Sequence, residues 1–191
     1  MFFVVAALSY LLGSMVTGVI YSHLRGDDIR SRDLPGGSGT FRQYGRTAAI
    51  LVTLADALRG ALAVGLTDLL AQELTWLATI MVVLGHCYPV FFGFRGGGGI
   101  ATLLGALFVA APATGLGMLA FGLAVIPLYK ATLQKRLGLN AVPFASALTI
   151  PVGLLLARHY GGMYEVLGGG LMMGIRGVHM LAQGRAGQAQ P

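Results

Sequence analysis

Apolar residues run along this chain in seven blocks, near 2–22, 47–70, 74–93, 100–111, 113–129, 142–157 and 165–181. A helix needs about 20 apolar residues to cross a hydrocarbon core, so most of these blocks predict membrane helices. The block at 100–111 is too short for a full crossing at about 1.5 Å per residue. Ala111-Pro112-Ala113 breaks it from the next block, so it reads as a half-span or as one arm of a tight hairpin. The expected fold class is therefore all-α, a polytopic membrane protein of about seven transmembrane or half-spanning helices. One membrane domain is expected over 1–184, followed by a tail at 185–191. The first 22 residues carry no charge. A secretory signal peptide opens on basic residues and ends at a small-residue cleavage site, so this block is read as a retained first helix.

The polar positions between the blocks set an orientation. Arg25, Arg30, Arg32, Arg42 and Arg46 crowd the first connection, Arg95 follows the third block, Lys130, Lys135 and Arg136 fill the fifth connection, and Arg185 lies in the tail. The opposite side receives Asp68, Glu73, the Ala-Pro turn and Arg158 as its only basic residue. By the positive-inside rule the amino terminus is expected outside and the carboxyl terminus in the cytoplasm. Composition agrees with the class: 55% of the 191 residues are hydrophobic, 10% are charged and 30 are glycine, with a mean hydropathy of +0.75. The formal net charge of +6 is accounted for by cytoplasmic loops facing anionic lipid heads, and nucleic-acid binding is excluded as an unnecessary reading. Cys87 is the only cysteine, so no internal disulfide and no cysteine cluster for a metal can form.

Three glycine-bearing features are placed at the same interface by this topology: Gly36-Gly37-Ser38-Gly39-Thr40, Arg95-Gly96-Gly97-Gly98-Gly99, and the last block. Successive backbone N–H groups uncovered by side chains form a donor cluster that suits phosphate, and the helix expected from Ile100 adds its dipole. No Gly-Lys-Ser/Thr closes the loop, so it is not a Walker P-loop. Ordinary turns are the competing reading, with the adjacent Arg95 favouring an anion. Asp56 and Arg59 lie three apart on one helical face, as either a functional pair or a lock between helices. His86, before Tyr88-Pro89, reads as a hydrogen-bonded anchor, and His23, His159 and His179 are too scattered to form a ligand set. Ser38 either hydrogen-bonds a phosphate or carbonyl oxygen or serves the turn. No Ser-His-Asp or Cys-His arrangement can be assembled. Gly170 and Gly174 make a small-xxx-small packing face, and Trp76, Phe91, Phe92 and Phe94 read as interfacial aromatics.

These residues resemble the bacterial membrane glycerol-3-phosphate acyltransferases that use acyl phosphate as donor. Tyr10-Leu11-Leu12-Gly13-Ser14 is similar to that family's first-helix signature, and Asp28-Ile29-Arg30 with Gly37-Ser38-Gly39 to its first motif. Asp56-Ala57-Leu58-Arg59-Gly60 follows its Asp-x-x-Lys-Gly pattern, and Val142-Pro143-Phe144-Ala145-Ser146 resembles a serine-bearing segment. The closest match is LGHCYPVFFGFRGGGGIAT at 84–102, which resembles the second motif, where the glycine loop cradles phosphate. The family loop reads Lys-Gly-Gly-Lys-Gly, whereas here Arg95 and Gly98 stand at the lysine positions. Thr40 stands where the first motif has asparagine, and Arg42 or Arg46 where a later arginine belongs. Gly174, Gly177 and Met180 stand at the third motif's histidine, asparagine and arginine, leaving Leu181 and Gly184. Arg176 and His179 are expected to supply replacement charge.

The resemblance implies a multi-pass enzyme of the bacterial inner membrane. Its reaction moves a fatty acyl group from acyl phosphate to the 1-hydroxyl of glycerol 3-phosphate in phospholipid biosynthesis. Lysophosphatidate and phosphate are the products, and a substrate phosphate rather than a protein base takes the proton. Ser38, Arg42 and Arg95 are the implied catalytic residues. Ser38, Gly39, Arg95, Gly96, Gly97, Gly98 and Gly99 bind phosphate, with Asp56, Arg59 and His86 supporting the site from behind. The implied partners are acyl phosphate, glycerol 3-phosphate and membrane lipids, with no cofactor and no metal, and no pattern points to an oligomeric state. The alternative is a catalytically impaired paralogue that binds lipid precursors or partners an active acyltransferase. A small transporter is the third reading, from Asp56 and Arg59, although no inverted repeat is visible.

Overall fold

A computed structural model describes residues 1–188, with side chains as far as residue 182. The chain is all helical among the described residues. Its longer elements are α1 (Phe2–Ser14), α2 (Thr17–Leu24), α3 (Gly37–Ala71), α4 (Thr75–Cys87), α5 (Ile100–Ala110) and α6 (Pro112–Thr132). A four-residue α7 (Gln134–Leu137) precedes α8 (Ala141–Tyr160) and α9 (Met163–Gln188). Four described helical stretches, Phe2–Leu24, Gly37–Phe92, Pro112–Thr132 and Ala141–Tyr160, are long and apolar enough to cross a membrane. The second of these turns back on itself between α3 and α4, through a 3-10 turn at Gln72–Leu74. The short block became α5, with Ala111 out of helical conformation and Pro112 opening α6. The boundary expected at 184/185 falls inside α9, whose helix runs on to Gln188; residues 189–191 lie outside the described residues.

Two breaks shape the bundle. The first block divides at Met15 and Val16, so α2 leaves α1 at an angle. Within α3, Gly45 has φ 83° and ψ −175°, a region open essentially to glycine alone. This break separates a short polar helix, carrying Ser38 and Arg42, from the apolar length that follows it.

α4 sits at the centre, with Ala78, Val82 and Val83 fully buried. One side joins Cys87, Leu103, Leu107, Met118 and Val166, and the other joins Val5, Val64, Leu77 and Ala106. Large apolar side chains such as Phe3, Leu69 and Leu123 face outward, as a lipid-facing surface requires. Lipid is as apolar as leucine, so helix association depends on close packing of small residues rather than on hydrophobic burial. Gly13 and Gly85 bring α1 and α4 together, since a Cβ on either would collide with the carbonyl oxygen of Val82 or Tyr10. Gly60 and Gly105 do the same for α3 and α5, against Thr102 and Ala57.

Replacing Gly105 by valine should lower stability in detergent by about 1–3 kcal/mol, the usual range for overpacking. Gly65→Ala is the control, because a Cβ there meets only Val109 Cγ1 at 4.0 Å. Thermal melts of the two variants should separate clearly; equal melting temperatures would show that the α3–α5 approach is not limiting.

Candidate functional site

The site begins with the buried carboxylate of Asp56, 2% exposed in the middle of α3. Its Oδ1 accepts from the Thr17 backbone N–H at 3.2 Å and from Thr17 Oγ1 at 2.6 Å. Asp56 therefore caps α2 from another helix, satisfying an amide that the break at Val16 leaves without an intrahelical partner. Arg59 Nη1 lies 3.3 Å from the same oxygen and also donates to Thr17 Oγ1. The expected pair is present, and through Thr17 it ties α3 to the start of α2 rather than only pairing two charges. His86 Nδ1 stands 4.0 Å from Asp56 Oδ1.

His86 carries this order to the glycine loop. Its carbonyl accepts from Gly97 N–H at 3.1 Å, and the Cys87 carbonyl accepts from Gly96 N–H at 3.2 Å. The His86 ring lies directly under Gly97, where an added Cβ would collide with Nε2. Two loop amides are thus occupied in binding the end of α4. Gly98, Gly99 and the first three residues of α5, Ile100 to Thr102, donate to no backbone carbonyl among the described residues, so these are the free donors. Gly99 holds φ 79° with Val83, Cys87 and Met173 crowding its Cα, which suits glycine alone.

The first connection closes over this loop. Asp28 accepts from Arg30 Nε at 2.8 Å and from Nη2 at 2.7 Å, while Arg30 Nη1 donates to the Phe92 carbonyl at 2.7 Å. Asp33 accepts two hydrogen bonds from Arg42, at 2.7 and 2.6 Å. Asp27 pairs with Arg32 and accepts from Tyr44 Oη at 2.6 Å. Between these groups lies a cavity of about 710 Å3, lined by Ser38, Asp33, Asn140, Pro143, Met180 and five arginines: Arg30, Arg32, Arg42, Arg95 and Arg176. The three glycine-bearing features meet here, through Ser38, Arg95 with Gly96, and Arg176 with Met180. An apolar groove of about 620 Å3 lies between α8 and α9, walled by Ile150, Leu154, Leu171, Ile175 and Val178, and reaches His179, the chain neighbour of Met180 on the cavity wall.

The other expected residues fall as follows. Gly39 packs against the Leu34 carbonyl and lets the Ser38 turn lie close to Asp33 and Leu34 of the first connection. Arg46 is exposed and outside the cavity wall. Ser146 returns its hydroxyl to the Val142 carbonyl within α8 at 2.8 Å. His179 points along the groove, with Nδ1 2.6 Å from Tyr88 Oη. Arg176 is buried at the cavity wall, and Thr40 and Thr102 each carry a buried hydroxyl without a hydrogen-bond partner among the described residues.

The comparisons with known proteins bear on this arrangement directly. A family model described as glycerol-3-phosphate acyltransferase matches residues 3–175. The chain belongs to this family. It is 63% identical over 187 residues to glycerol-3-phosphate acyltransferase 2 of Deinococcus radiodurans, covering 96% of each chain. It is 37% identical to a glycerol-3-phosphate acyltransferase of Neisseria meningitidis, over 85% of this chain and 92% of that one. Among solved structures it is similar to PlsY (YgiH), an integral membrane glycerol 3-phosphate acyltransferase, in its glycerol 3-phosphate form. The TM-score is 0.76 at 26% identity, covering 99% of this chain and 94% of that one. The lysophosphatidic acid form of PlsY gives a TM-score of 0.75 at the same identity, covering 96% and 93%. The fold and the membrane setting expected from the sequence are those of this acyltransferase family.

Two expectations follow from the geometry. Asp56→Ala removes the cap of α2 and strands Arg59, which should cost about 3 kcal/mol. Adding Arg59→Met should recover part of that loss in detergent unfolding, because no buried cation is then unpaired. The second concerns pH. The Arg30 guanidinium beside Asp28 holds its carboxyl well below the usual range, against the opposing effect of burial. Burial pushes the Asp33 carboxyl up, but hydrogen bonds from Arg42 and the Leu34 N–H outweigh it and leave it lowered. Both are depressed in the fold, so their stabilisation is fully present above about pH 4 and is lost as pH falls through the folded values. Melting temperature should be flat from about pH 7 to 5 and fall below about 4, and Asp28→Asn with Asp33→Asn should flatten that fall.

Proposed function

We propose that this chain transfers a fatty acyl group from acyl phosphate to the 1-hydroxyl of glycerol 3-phosphate, on the cytoplasmic face of the bacterial inner membrane. The observation that carries the reading is an arginine-lined cavity bounded by the glycine loop, whose later amides are free. Its volume suits small phosphorylated molecules. The groove offers an acyl chain an apolar berth along α9, whose His179 lines the groove and whose Met180 lines the cavity. Support for the acceptor and product comes from the similar PlsY structures in glycerol 3-phosphate and lysophosphatidic acid forms. The side on which the basic residues gather supports the cytoplasmic face.

In this reaction the acceptor hydroxyl oxygen attacks the acyl carbonyl carbon, the bond from that carbon to the phosphate oxygen breaks, and phosphate leaves. The hydroxyl proton passes to a phosphate oxygen. Asp33, the one carboxylate among the described residues of the cavity wall, is held by Arg42 and Leu34 and is a poor proton acceptor at neutral pH. Catalysis then depends on positioning and on donors placed where charge develops. In this reading Arg95, Gly98 and Gly99 hold phosphate, Gly96 and Gly97 fix the loop, Gly39 seats the turn of Ser38, and Ser38 orients a substrate oxygen. Arg42, already paired, lends its remaining donor capacity, while Asp56, Arg59 and His86 hold the loop in place from within the bundle. The membrane domain spans 1–184 and uses no cofactor.

The purified protein should release phosphate from acyl phosphate only when glycerol 3-phosphate is present, and acyl-coenzyme A should be a poor donor. Faster turnover with the thioester would reject the donor assignment. A Cβ at Gly98 meets nothing within 4 Å, so Gly98→Lys should fold and raise turnover. Phosphate and precursor binding without turnover in the wild type, and turnover appearing in Gly98→Lys, would instead establish the impaired paralogue.

A further inference from the structure

Three of the five cavity arginines carry a carboxylate of their own: Arg30 has Asp28, Arg32 has Asp27 and Arg42 has Asp33. Arg95 and Arg176 have none among the described residues. They differ in kind. Arg95 is exposed, whereas Arg176 is 6% exposed. Its Nη2 donates to the Gly96 carbonyl at 2.8 Å, and its guanidinium carbon lies 5.5 Å from the centre of the Tyr88 ring. Its Nε is buried with no hydrogen-bond partner, and Nη1 makes no hydrogen bond among the described residues. A buried cation with one carbonyl and one aromatic face for company has not been repaid for leaving water. Something anionic completes it.

We infer that Arg176 is a phosphate-binding residue of this site: the phosphoryl group of a substrate is its missing counter-charge, and the same guanidinium ties that phosphate to the glycine loop through the Gly96 carbonyl. This rests on the reading that the cavity takes phosphorylated substrates. The fork geometry of arginine allows both at once, with Nη2 on the carbonyl and the remaining donors toward the anion. Arg176 and Met180 stand four apart on α9 and both line the cavity, so the guanidinium rises from the same helical face one turn earlier.

The test uses the purified full chain in detergent, with inorganic phosphate and glycerol 3-phosphate titrated by calorimetry. Arg176→Gln keeps a donor for the Gly96 carbonyl without the charge, and Arg176→Lys keeps the charge with a single donor group. The glutamine variant should bind both ligands about ten- to a hundred-fold more weakly, with the lysine variant weakened less. Binding within twofold of wild type in Arg176→Gln, or a lysine variant weaker than the glutamine variant, would reduce Arg176 to a prop for the loop and overturn the inference. A second readout needs no neutral variant: the arginine Nε–H resonance that disappears in Arg176→Lys should shift in the wild type as inorganic phosphate is added. A resonance unmoved at saturating phosphate overturns the inference as well. Acyl transfer is scored separately. Intact phosphate binding through Arg176 with no turnover rejects the reaction alone, and intact turnover with binding indifferent to position 176 rejects this inference alone.

Discussion

Asp56 is the group on which the rest of the site depends. A carboxylate buried in the middle of a membrane helix is costly unless its lone pairs are met, and here they are met by the uncapped start of α2 and by Arg59. The exchange is mutual. The broken end of α2 needs an acceptor for an amide that no residue of its own helix can satisfy, and Asp56 supplies one from 39 positions away. With α2 fixed, the connection carrying Asp27, Asp28 and Asp33 is held over the end of α4. With Asp56 fixed, His86 has a negative neighbour on one side and the glycine loop on the other. A single buried charge thus sets the height of the roof and the floor of one cavity.

The charges of that cavity follow a different rule from its framework. Three aspartates spaced along the first connection neutralise three arginines, and these pairs are structural, drawing the connection into a tight cover. Half-exposed pairs of this sort each contribute modestly to stability, so their main effect is to place backbone. The uncompensated part, which the proposed function assigns to the ligand, is Arg95 at the rim, Arg176 in the wall, and the loop amides that α4 has not consumed. Such a division lets a strongly basic region present only a small net charge, directed at one place.

Much of this was legible in the sequence. Apolar blocks of membrane length gave the helices, Ala-Pro at 111–112 gave the α5–α6 break, and the glycine motifs gave the convergence of three segments on one cavity. The break at Met15 and Val16 was not legible, because no glycine or proline marks it and its cause is a carboxylate distant in sequence. Nor could a count of glycines tell which amides were free. Gly96 and Gly97 spend theirs on the carbonyls of α4, a matter of three-dimensional register rather than composition. Arg42 looked like a free cation until the fold set Asp33, nine positions earlier, against both edges of its guanidinium. Arg176 did leave a signal, as a lone arginine inside an apolar block, which is the default mark of a functional position in a membrane chain.

The family resemblance places two lysines in the glycine loop, where this chain has Arg95 and Gly98. A lysine on this loop is a compact, strongly hydrated charge on a flexible stem that must be drawn to the phosphate on each encounter, at a cost in side-chain freedom. An arginine rooted in a helix and already bonded to the loop backbone has lost much of that freedom before the ligand arrives. Moving charge from Gly98 to position 176 therefore exchanges adaptability for preorganisation. It also moves the charge from a long, freely rotating side chain to one held in the cavity wall. Ground-state binding of phosphate should survive such an exchange better than stabilisation of the transition state, because only charge placed where charge develops lowers the barrier. That asymmetry is why phosphate affinity and acyl-transfer rate must be measured as separate properties of this chain.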